Sequence, residues 1–251
     1  MMNLFDLMPV PSELPASAVS CLLGILGDEE RARWEKMGHS RRRVEYLLGH
    51  ALLRLRLSQL LEVPVSEVPL CFEKGEKPYL TDSPYFVSLS HCDGWLALAV
   101  ACFPVGVDVE PVRERQFFGD LVKKSFAPEE CAFFETAAPD AALKRFTELW
   151  TLREAFFKAS GRPLWSKDYS FEIEGESIQL SFPGSPLSFP AAFSGESTIP
   201  WNFRLFSPIP ERIIALAAKG DLKTAMPIPL EAEEMISWIE RKERKQRKEM
   251  Q

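Results

Sequence analysis

Apolar residues recur at helical spacing in the first part of the chain, and shorter β-like runs follow them. The segment "SRRRVEYLLGHALLRLRLSQLLE" predicts a long, basic, amphipathic helix. Its buried stripe is predicted to consist of five leucines, namely Leu47, Leu48, Leu52, Leu55 and Leu60. The segment "GDEERARWEKMG" predicts a preceding helix, and strands are expected in "EVPLCFEK", "YFVSLS", "WLALAVACF" and "VGVDVE". The first half is therefore predicted to be helical first and β-structured afterwards.

The same order of helices and then strands recurs in the second half. Helices are predicted over "FFGDLVKKSF", "PEECAFFETA" and "DAALKRFTELWTLREAFFKASG", the last with Asp140 as its N-terminal cap and Gly161 as its C-terminal cap. Strands are predicted over "YSFEIE", "SIQLSF", "NFRLFS" and "RIIALAAK", and the Pro-, Gly- and Ser-rich stretch "PGSPLSFPAAFSGESTIP" is predicted to be a loop. The repeated order indicates an architectural duplication. We expect one subdomain over residues 1–107, a second over 108–225, and a charged C-terminal helix or tail over 226–251.

The composition excludes several classes of protein. Of the 251 residues, 46% are hydrophobic and 11% aromatic, which is ample for a packed core and too much for a disordered chain. A formal net charge of -6 argues against a general nucleic-acid coat. Neither an export signal nor a run of about 18 apolar residues is present, so we expect a cytoplasmic protein without membrane or nucleic-acid contacts. The five cysteines and three histidines lack the spacing of a metal or redox motif.

Two acids occupy alternate positions near the end of the run "VGVDVE". Because residues two apart on a strand point to the same face, Asp108 and Glu110 should project together while Val107 and Val109 enter the core. Paired carboxylates repel each other unless a cation lies between them, and hard oxygen ligands of this kind suit Mg²⁺. A strand that ends in two solvated acids has the same pattern, so the pair alone leaves both alternatives open.

The longest helix of the second half carries a second candidate. In "WTLREAFFK", Trp150, Glu154 and Lys158 are each four residues apart and therefore share one helical face. Such Glu–Lys pairs are common on exposed surfaces, but the aromatic residues around this one favour a charged pair at the edge of a core.

Two further segments contain groups that can bind phosphate. The strand candidate in "YFVSLSHCDGW" ends in Ser90 and His91, whose hydroxyl and imidazole can donate to phosphate oxygens. The turn in "EKGEKPYL" presents Lys77 next to the stiff Pro78. A structural histidine and an ordinary exposed turn are the alternatives.

Taken in this order, the segments "EKP", "SLSH", "GVDVE" and "WTLREAFFK" resemble the motifs of the Sfp (surfactin-synthetase-activating) type of the 4'-phosphopantetheinyl transferase superfamily. The family patterns are G-K-P, (N/S)-x-S-H, (I/V)-G-(I/V)-D-(I/V)-E and W-(S/T/C)-x-K-E-(A/S)-x-x-K, and the resemblance covers residues 28–218. Three positions depart from the pattern. Glu76 replaces the glycine of G-K-P, Arg153 stands where a lysine is commoner, and Glu45 stands where the long helix often carries an arginine for a coenzyme A phosphate.

The resemblance implies a fold and a reaction. The fold is α+β, with two similar helix-plus-antiparallel-sheet subdomains related by pseudo-twofold symmetry within a monomer. The reaction is transfer of the 4'-phosphopantetheine arm of coenzyme A to a serine of an apo acyl, peptidyl or aminoacyl carrier protein. The products are the holo-carrier protein and 3',5'-adenosine bisphosphate.

The resemblance also implies roles for individual residues. Asp108, Glu110 and Glu154 would hold Mg²⁺, and Glu154 would also take the serine proton, directly or through water. Lys158 would neutralise or protonate the leaving phosphate, so Asp108, Glu154 and Lys158 are the expected catalytic residues. Seven residues are expected to bind coenzyme A: Arg33, Arg42, Lys77, Pro78, Ser90, His91 and Lys158.

Two other functions would use the same residues. A magnesium-dependent phosphohydrolase or nucleotidyl transferase also needs clustered acids and a lysine. A non-catalytic module that binds a carrier protein or coenzyme A is the second alternative, although it would gain little from three clustered acids.

Overall fold

The computed structural model describes residues 2–72, 78–116, 118–182 and 200–249. These residues form two compact units. The first unit consists of residues 4–100 together with the chain from Met226 onward, and the second unit consists of residues 101–225 with the residues that precede Leu4.

The elements follow one another in two successive series. The first series is β1 (Met2–Pro9), α1 (Ala16–Ile25), α2 (Asp28–Glu35), α3 (Ser40–Leu61), a 3₁₀ turn (Val65–Glu67), β2 (Leu70–Cys71), β3 (Tyr79–Leu80), β4 (Phe86–Cys92) and β5 (Trp95–Ala101). The second series is β6 (Val105–Pro111), α4 (Phe118–Ser125), α5 (Pro128–Cys131), a 3₁₀ turn (Ala132–Glu135), α6 (Pro139–Ser160), β7 (Ser170–Glu174), β8 (Ser177–Ser181), β9 (Asn202–Phe206) and β10 (Arg212–Ala218). The chain ends with β11 (Ile228–Pro229) and α7 (Ala232–Glu249).

The first unit is built around helix α3 and a four-stranded sheet. The strand order is β11-β1-β5-β4, and β1 pairs with β11 in parallel. The leucine stripe predicted for α3 is confirmed, since Leu47, Leu48, Leu52 and Leu55 are buried and Leu60 packs against the same core. Helix α7 joins this core through four buried residues in its first half, namely Ala232, Met235, Ile236 and Ile239.

Strand β1 and helix α1 lie in a segment for which the sequence predicted neither a strand nor a helix. Pro9, Pro11 and Pro15 gave this part of the chain a loop-like composition. The prolines instead stand at the end of β1, in the connection, and directly before the first residue of α1. At each of these places the missing backbone N–H is tolerated.

The second unit is built around helix α6 and a three-stranded antiparallel sheet. The sheet order is β6-β10-β9, and Asp108 of β6 lies opposite Ala215 of β10. An aromatic core fills the space beneath α6, with edge-to-face contacts among Phe156, Tyr169, Phe171 and Phe203. Strands β7 and β8 form a separate antiparallel hairpin.

Of the two capping residues predicted for α6, only the C-terminal one is confirmed. Gly161 caps the C-terminus in the left-handed conformation with φ 73°, as predicted. The prediction of Asp140 as the N-terminal cap is wrong, because Ala138 is the N-cap and Pro139 occupies the first helical position. Proline is favoured there because its N–H would have no helical partner, and Asp140 therefore lies inside the first turn.

Each unit contains a buried glutamate–arginine pair in the same place along its series of elements. In the first unit Glu30 of α2 accepts hydrogen bonds from Arg54 of α3 at 2.7 Å and from His50 at 2.8 Å. In the second unit Glu130 of α5 accepts one from Arg153 of α6 at 2.5 Å. Helices α3 and α6 both have 22 residues, and the paired residues are 24 and 23 positions apart. The two halves therefore share a structural plan, and the predicted α+β class with antiparallel sheets is confirmed.

Candidate active site

The candidate site is formed where α6 crosses β6 within the second unit. Gly106 makes this close approach possible, since a Cβ atom at this position would lie 1.9 Å from the carbonyl oxygen of Ala155. Residues two and four positions further along the strand share the face of Gly106, so Asp108 and Glu110 are directed to the side of β6 on which α6 packs. Val107 and Val109 alternate with them and are fully buried.

The substitution Gly106→Ala should therefore destabilise the protein by at least the ~1–3 kcal/mol typical of overpacking. The clash is with backbone atoms of α6, which cannot rotate away as a side chain can. Chemical denaturation of the two proteins measures the difference. Gly119→Ala is the matched control, because a Cβ atom there meets nothing within 4 Å and alanine is the better helix former. Equal midpoints for Gly106→Ala and the wild type would contradict the packing.

Asp108 and Lys158 form the closest contact of the site. Asp108 is only 4% exposed, and its Oδ1 accepts a hydrogen bond from Lys158 Nζ at 2.7 Å. The same ammonium group donates to the carbonyl oxygen of Val107 at 3.1 Å. Lys158 therefore brings a positive charge from α6 directly to the acidic end of β6.

The two remaining acids are electrostatically coupled to Asp108. Burial is the largest cause that raises the pKa of the Glu154 carboxyl, the charge on Asp108 raises it next, and Glu110 raises it further, whereas Lys158 lowers it. Burial likewise raises the pKa of Glu110, and Asp108 adds to this rise. Three carboxylates from two distant parts of the chain thus lie close enough to disfavour one another's charge.

Such a donor set has the chemistry that a hard divalent cation requires. Carboxylate oxygens suit Mg²⁺, and a cation among the three groups would relieve the mutual repulsion that raises the pKa of Glu110 and Glu154. Across the described ranges, however, no three His, Cys, Asp or Glu side chains are grouped so that they could hold a metal ion. In this arrangement Lys158 supplies the cation beside Asp108.

Arg115 is a residue of this site that the sequence patterns did not predict. It donates to Glu110 Oε2 at 3.1 Å, and its guanidinium lies over the rings of Phe146 and Trp150. This contact lowers the pKa of Glu110 against the larger effect of burial. Arg115 follows Glu110 by only five residues, but the intervening segment has no regular structure, so no periodicity could place it.

The other residues expected to bind coenzyme A belong to the first unit. Ser90 is buried in β4, and His91 follows it with 44% of its side chain exposed. Arg42 is exposed on α3, while Arg33 of α2 lies over the ring of Phe72 at 5.0 Å. Pro78 is half-buried directly before β3, and Lys77 lies outside the described residues.

The long helix α3 also contains the acid that departs from the family pattern. Glu45 is buried, and its carboxylate lies 3.2 Å from His91 Nδ1 and 3.5 Å from Arg41 Nε. The sequence marked this position as unusual but gave no partner for it.

An acid pair on strand β6, packed against a helix that supplies a third acid and a lysine, defines a class of site suited to phosphoryl chemistry. The pattern of the 4'-phosphopantetheinyl transferase superfamily matches residues 104–217 of this chain. This range contains β6, α6 and all five residues of the site, namely Asp108, Glu110, Arg115, Glu154 and Lys158.

Curated relatives extend the similarity into the first unit. The 4'-phosphopantetheinyl transferase gsp of Aneurinibacillus migulanus is 27% identical over 172 residues, which cover 68% of this chain and 70% of the relative. A 4'-phosphopantetheinyl transferase of Bacillus subtilis is 24% identical over 172 residues, covering 68% of this chain and 74% of the relative. The 4'-phosphopantetheinyl transferase Sfp of Bacillus subtilis (strain 168) is 25% identical over 170 residues, covering 65% and 75%. Among the described helices, none has both the length and the apolar character needed to cross a membrane.

Proposed function

We propose that the protein transfers the 4'-phosphopantetheine arm of coenzyme A to a serine of an apo carrier protein. The products are the holo-carrier protein and 3',5'-adenosine bisphosphate. The observation that carries the proposal is the convergence of Asp108 and Glu110 on β6 with Glu154 and Lys158 on α6. The match to the family pattern and the names of the relatives support the same reaction.

The reaction requires a base, cations and a way to hold the pyrophosphate. A serine hydroxyl is a weak nucleophile, so a carboxylate that accepts its proton accelerates attack on the phosphorus. Glu154 is suited to this role because its raised pKa makes it a stronger base than an ordinary glutamate. The serine oxygen forms a new bond to the β-phosphorus of coenzyme A, and the bond from that phosphorus to the bridging oxygen breaks.

Asp108, Glu110 and Glu154 are the residues proposed to hold Mg²⁺. The metal ion, when bound, would neutralise charge on the pyrophosphate. Lys158 is proposed to stabilise the negative charge that develops on the departing 3',5'-adenosine bisphosphate. Its ammonium group lies 2.7 Å from Asp108 Oδ1 on β6.

The contacts to coenzyme A are proposed for residues of the first unit. Ser90 and His91 can donate to phosphate oxygens, and Arg33 and Arg42 can supply positive charge. Lys77 and Pro78 are proposed to contribute from the turn before β3. The acceptor is proposed to be an acyl, peptidyl or aminoacyl carrier protein, and the enzyme is proposed to act as a cytoplasmic monomer.

Mass spectrometry tests the reaction. The protein, coenzyme A, Mg²⁺ and an apo carrier protein are incubated together, and the carrier should gain the mass of one phosphopantetheinyl arm on its serine. Replacing that serine by alanine is the control, and chelation of Mg²⁺ by EDTA should prevent the gain. Release of inorganic phosphate without carrier modification would instead favour a phosphohydrolase and contradict the proposal.

A further inference from the structure

Glu45 joins helix α3 to the turn between β4 and β5. Its carboxylate is 7% exposed and lies 3.2 Å from His91 Nδ1 of β4. The backbone N–H of Gly94, in the turn, donates to Glu45 Oε1 at 3.4 Å, and Arg41 Nε lies 3.5 Å from the same oxygen. One buried acid therefore contacts a histidine, an arginine and a backbone donor.

The turn that completes this arrangement is fixed by its own geometry. Gly94 adopts φ 80°, a conformation that favours glycine, and its carbonyl oxygen accepts a hydrogen bond from the N–H of Val10 at 2.7 Å. A Cβ atom on Gly94 would lie 3.0 Å from the Arg41 guanidinium, so the arginine packs directly against the turn. The turn is therefore held by the hydrogen bond from Val10 and packs against Arg41.

We propose that Glu45 is a positioning residue, which anchors His91 and Arg41 on one buried carboxylate so that both present N–H donors to a phosphate group of coenzyme A. This inference rests on the proposed function. It selects Arg41, among the three consecutive arginines at the start of α3, as the partner of His91. Arg43 by comparison lies over the ring of Trp34 at 3.8 Å.

The chemistry of the two side chains supports this arrangement. A carboxylate next to Nδ1 fixes the orientation of an imidazole ring and directs Nε2 to the opposite side. His91 and Arg41 are 44% and 50% exposed at their side chains, although Glu45 itself is buried. An arginine has five N–H donors, so contact through Nε leaves donors in its planar fork for a second anion. The buried acid thus contacts both half-exposed side chains and orients them.

Two opposite expectations make the inference testable. If Glu45 acted only through its charge, its removal would reduce repulsion and strengthen the binding of coenzyme A. If it positions His91 and Arg41, its removal should weaken binding even though a negative charge is lost. The sign of the change therefore separates the two roles.

Isothermal titration of coenzyme A, without a carrier protein, measures this sign. Glu45→Gln keeps the side-chain length but removes the charge, while Glu45→Asp keeps the charge but shortens the reach. Both substitutions should weaken binding by about tenfold, the lower end of the loss that follows when the hydrogen-bond partner of a metal-binding histidine is removed. Glu35→Gln, an exposed acid on α2, is the matched control and should bind like the wild type.

Nitrogen NMR of the histidine rings provides a readout that does not depend on turnover. The Nδ1 resonance of His91 should shift in Glu45→Gln, while the signals of His39 stay unchanged because that residue lies outside the cluster. Unchanged or tighter binding in both variants would overturn the inference. Failure of the wild type to transfer phosphopantetheine would overturn the proposed function instead, and the NMR comparison would still report whether Glu45 holds His91.

Discussion

Replacing Glu154 by glutamine should lower the rate of phosphopantetheine transfer by about 10²- to 10⁴-fold while the protein stays folded. Glutamine has the same size and shape but cannot accept the serine proton and is a poor ligand for Mg²⁺. The loss should appear in the turnover rate, because Glu154 lies with the acids of β6 and the expected coenzyme A contacts other than Lys158 lie in the other unit.

Stability should not fall with activity in this variant. A carboxyl group whose pKa is raised in the folded state favours folding when it is protonated, and its charged form opposes folding at neutral pH. The neutral glutamine removes that opposition, so the denaturation midpoint at pH 7 should equal or exceed that of the wild type. If the variant lost activity because it unfolded, its denaturation midpoint would instead fall below that of the wild type.

A neighbouring glutamate on the same helix provides the control. Burial also raises the pKa of Glu148, which lies near Lys144 and Arg145 at 3.9 and 3.3 Å. Glu148→Gln should therefore resemble Glu154→Gln in its effect on the electrostatics of α6 but retain transfer activity. Addition of Mg²⁺ should raise the denaturation midpoint of the wild type and of Glu148→Gln, but not that of Glu154→Gln. Transfer by Glu154→Gln at the wild-type rate would exclude the proposed role of this residue.

The sequence predicted the components of the candidate site better than their contacts. Strand alternation placed Asp108 and Glu110 on one face of a strand, and helical spacing placed Glu154 and Lys158 on one face of a helix. Both predictions depend only on local periodicity. The bond between Lys158 and Asp108 joins residues 50 positions apart, and no local pattern reports such a pairing. The contact between Glu45 and His91, which are also far apart along the chain, was missed for the same reason. Arg115 was missed because the segment before it has no regular structure.

A comparison of the two units indicates why only one of them carries the acids. Asp6 of β1 is fully buried and accepts hydrogen bonds from Arg56 of α3 at 2.9 and 2.6 Å, again across 50 residues. Met8 lies two positions after Asp6 on β1 and is buried. The residue at the equivalent position of β6, two after Asp108, is Glu110. The first unit thus keeps the strand-to-helix ion pair but lacks the second acid, so its pair satisfies a buried charge without forming an acidic cluster.

The substitution Arg153→Met should destabilise the protein by about 3–5 kcal/mol, the cost of leaving one partner of a buried ion pair without its counter-charge. Glu130 and Arg153 are almost completely buried, with side-chain exposures of 1% and 0%. Glu130 also accepts the backbone N–H groups of Ala127 and Phe171, each at 2.8 Å, so its charge is held in place when the arginine is lost.

Arg153→Lys distinguishes the geometry of this pair from its charge. The arginine fork binds Glu130 and the carbonyl oxygen of Tyr169 through one nitrogen, and the carbonyl oxygen of Ser166 through another. A lysine has a single ammonium group and cannot reach both sides, although lysine is the commoner residue here in the family pattern. The cost should therefore lie between zero and that of Arg153→Met, at about 1–3 kcal/mol for the unsatisfied carbonyl groups.

Urea denaturation of the three proteins at pH 7 measures these differences, with circular dichroism as the probe. The double variant Glu130→Gln with Arg153→Met should recover part of the loss, because it removes the buried negative charge that the single variant leaves behind. If Arg153→Met unfolded at the wild-type midpoint, the buried pair would not stabilise the start of α5 against α6. Since Glu154 follows Arg153 directly, a stable pair of this kind also fixes the part of α6 that presents the proposed base.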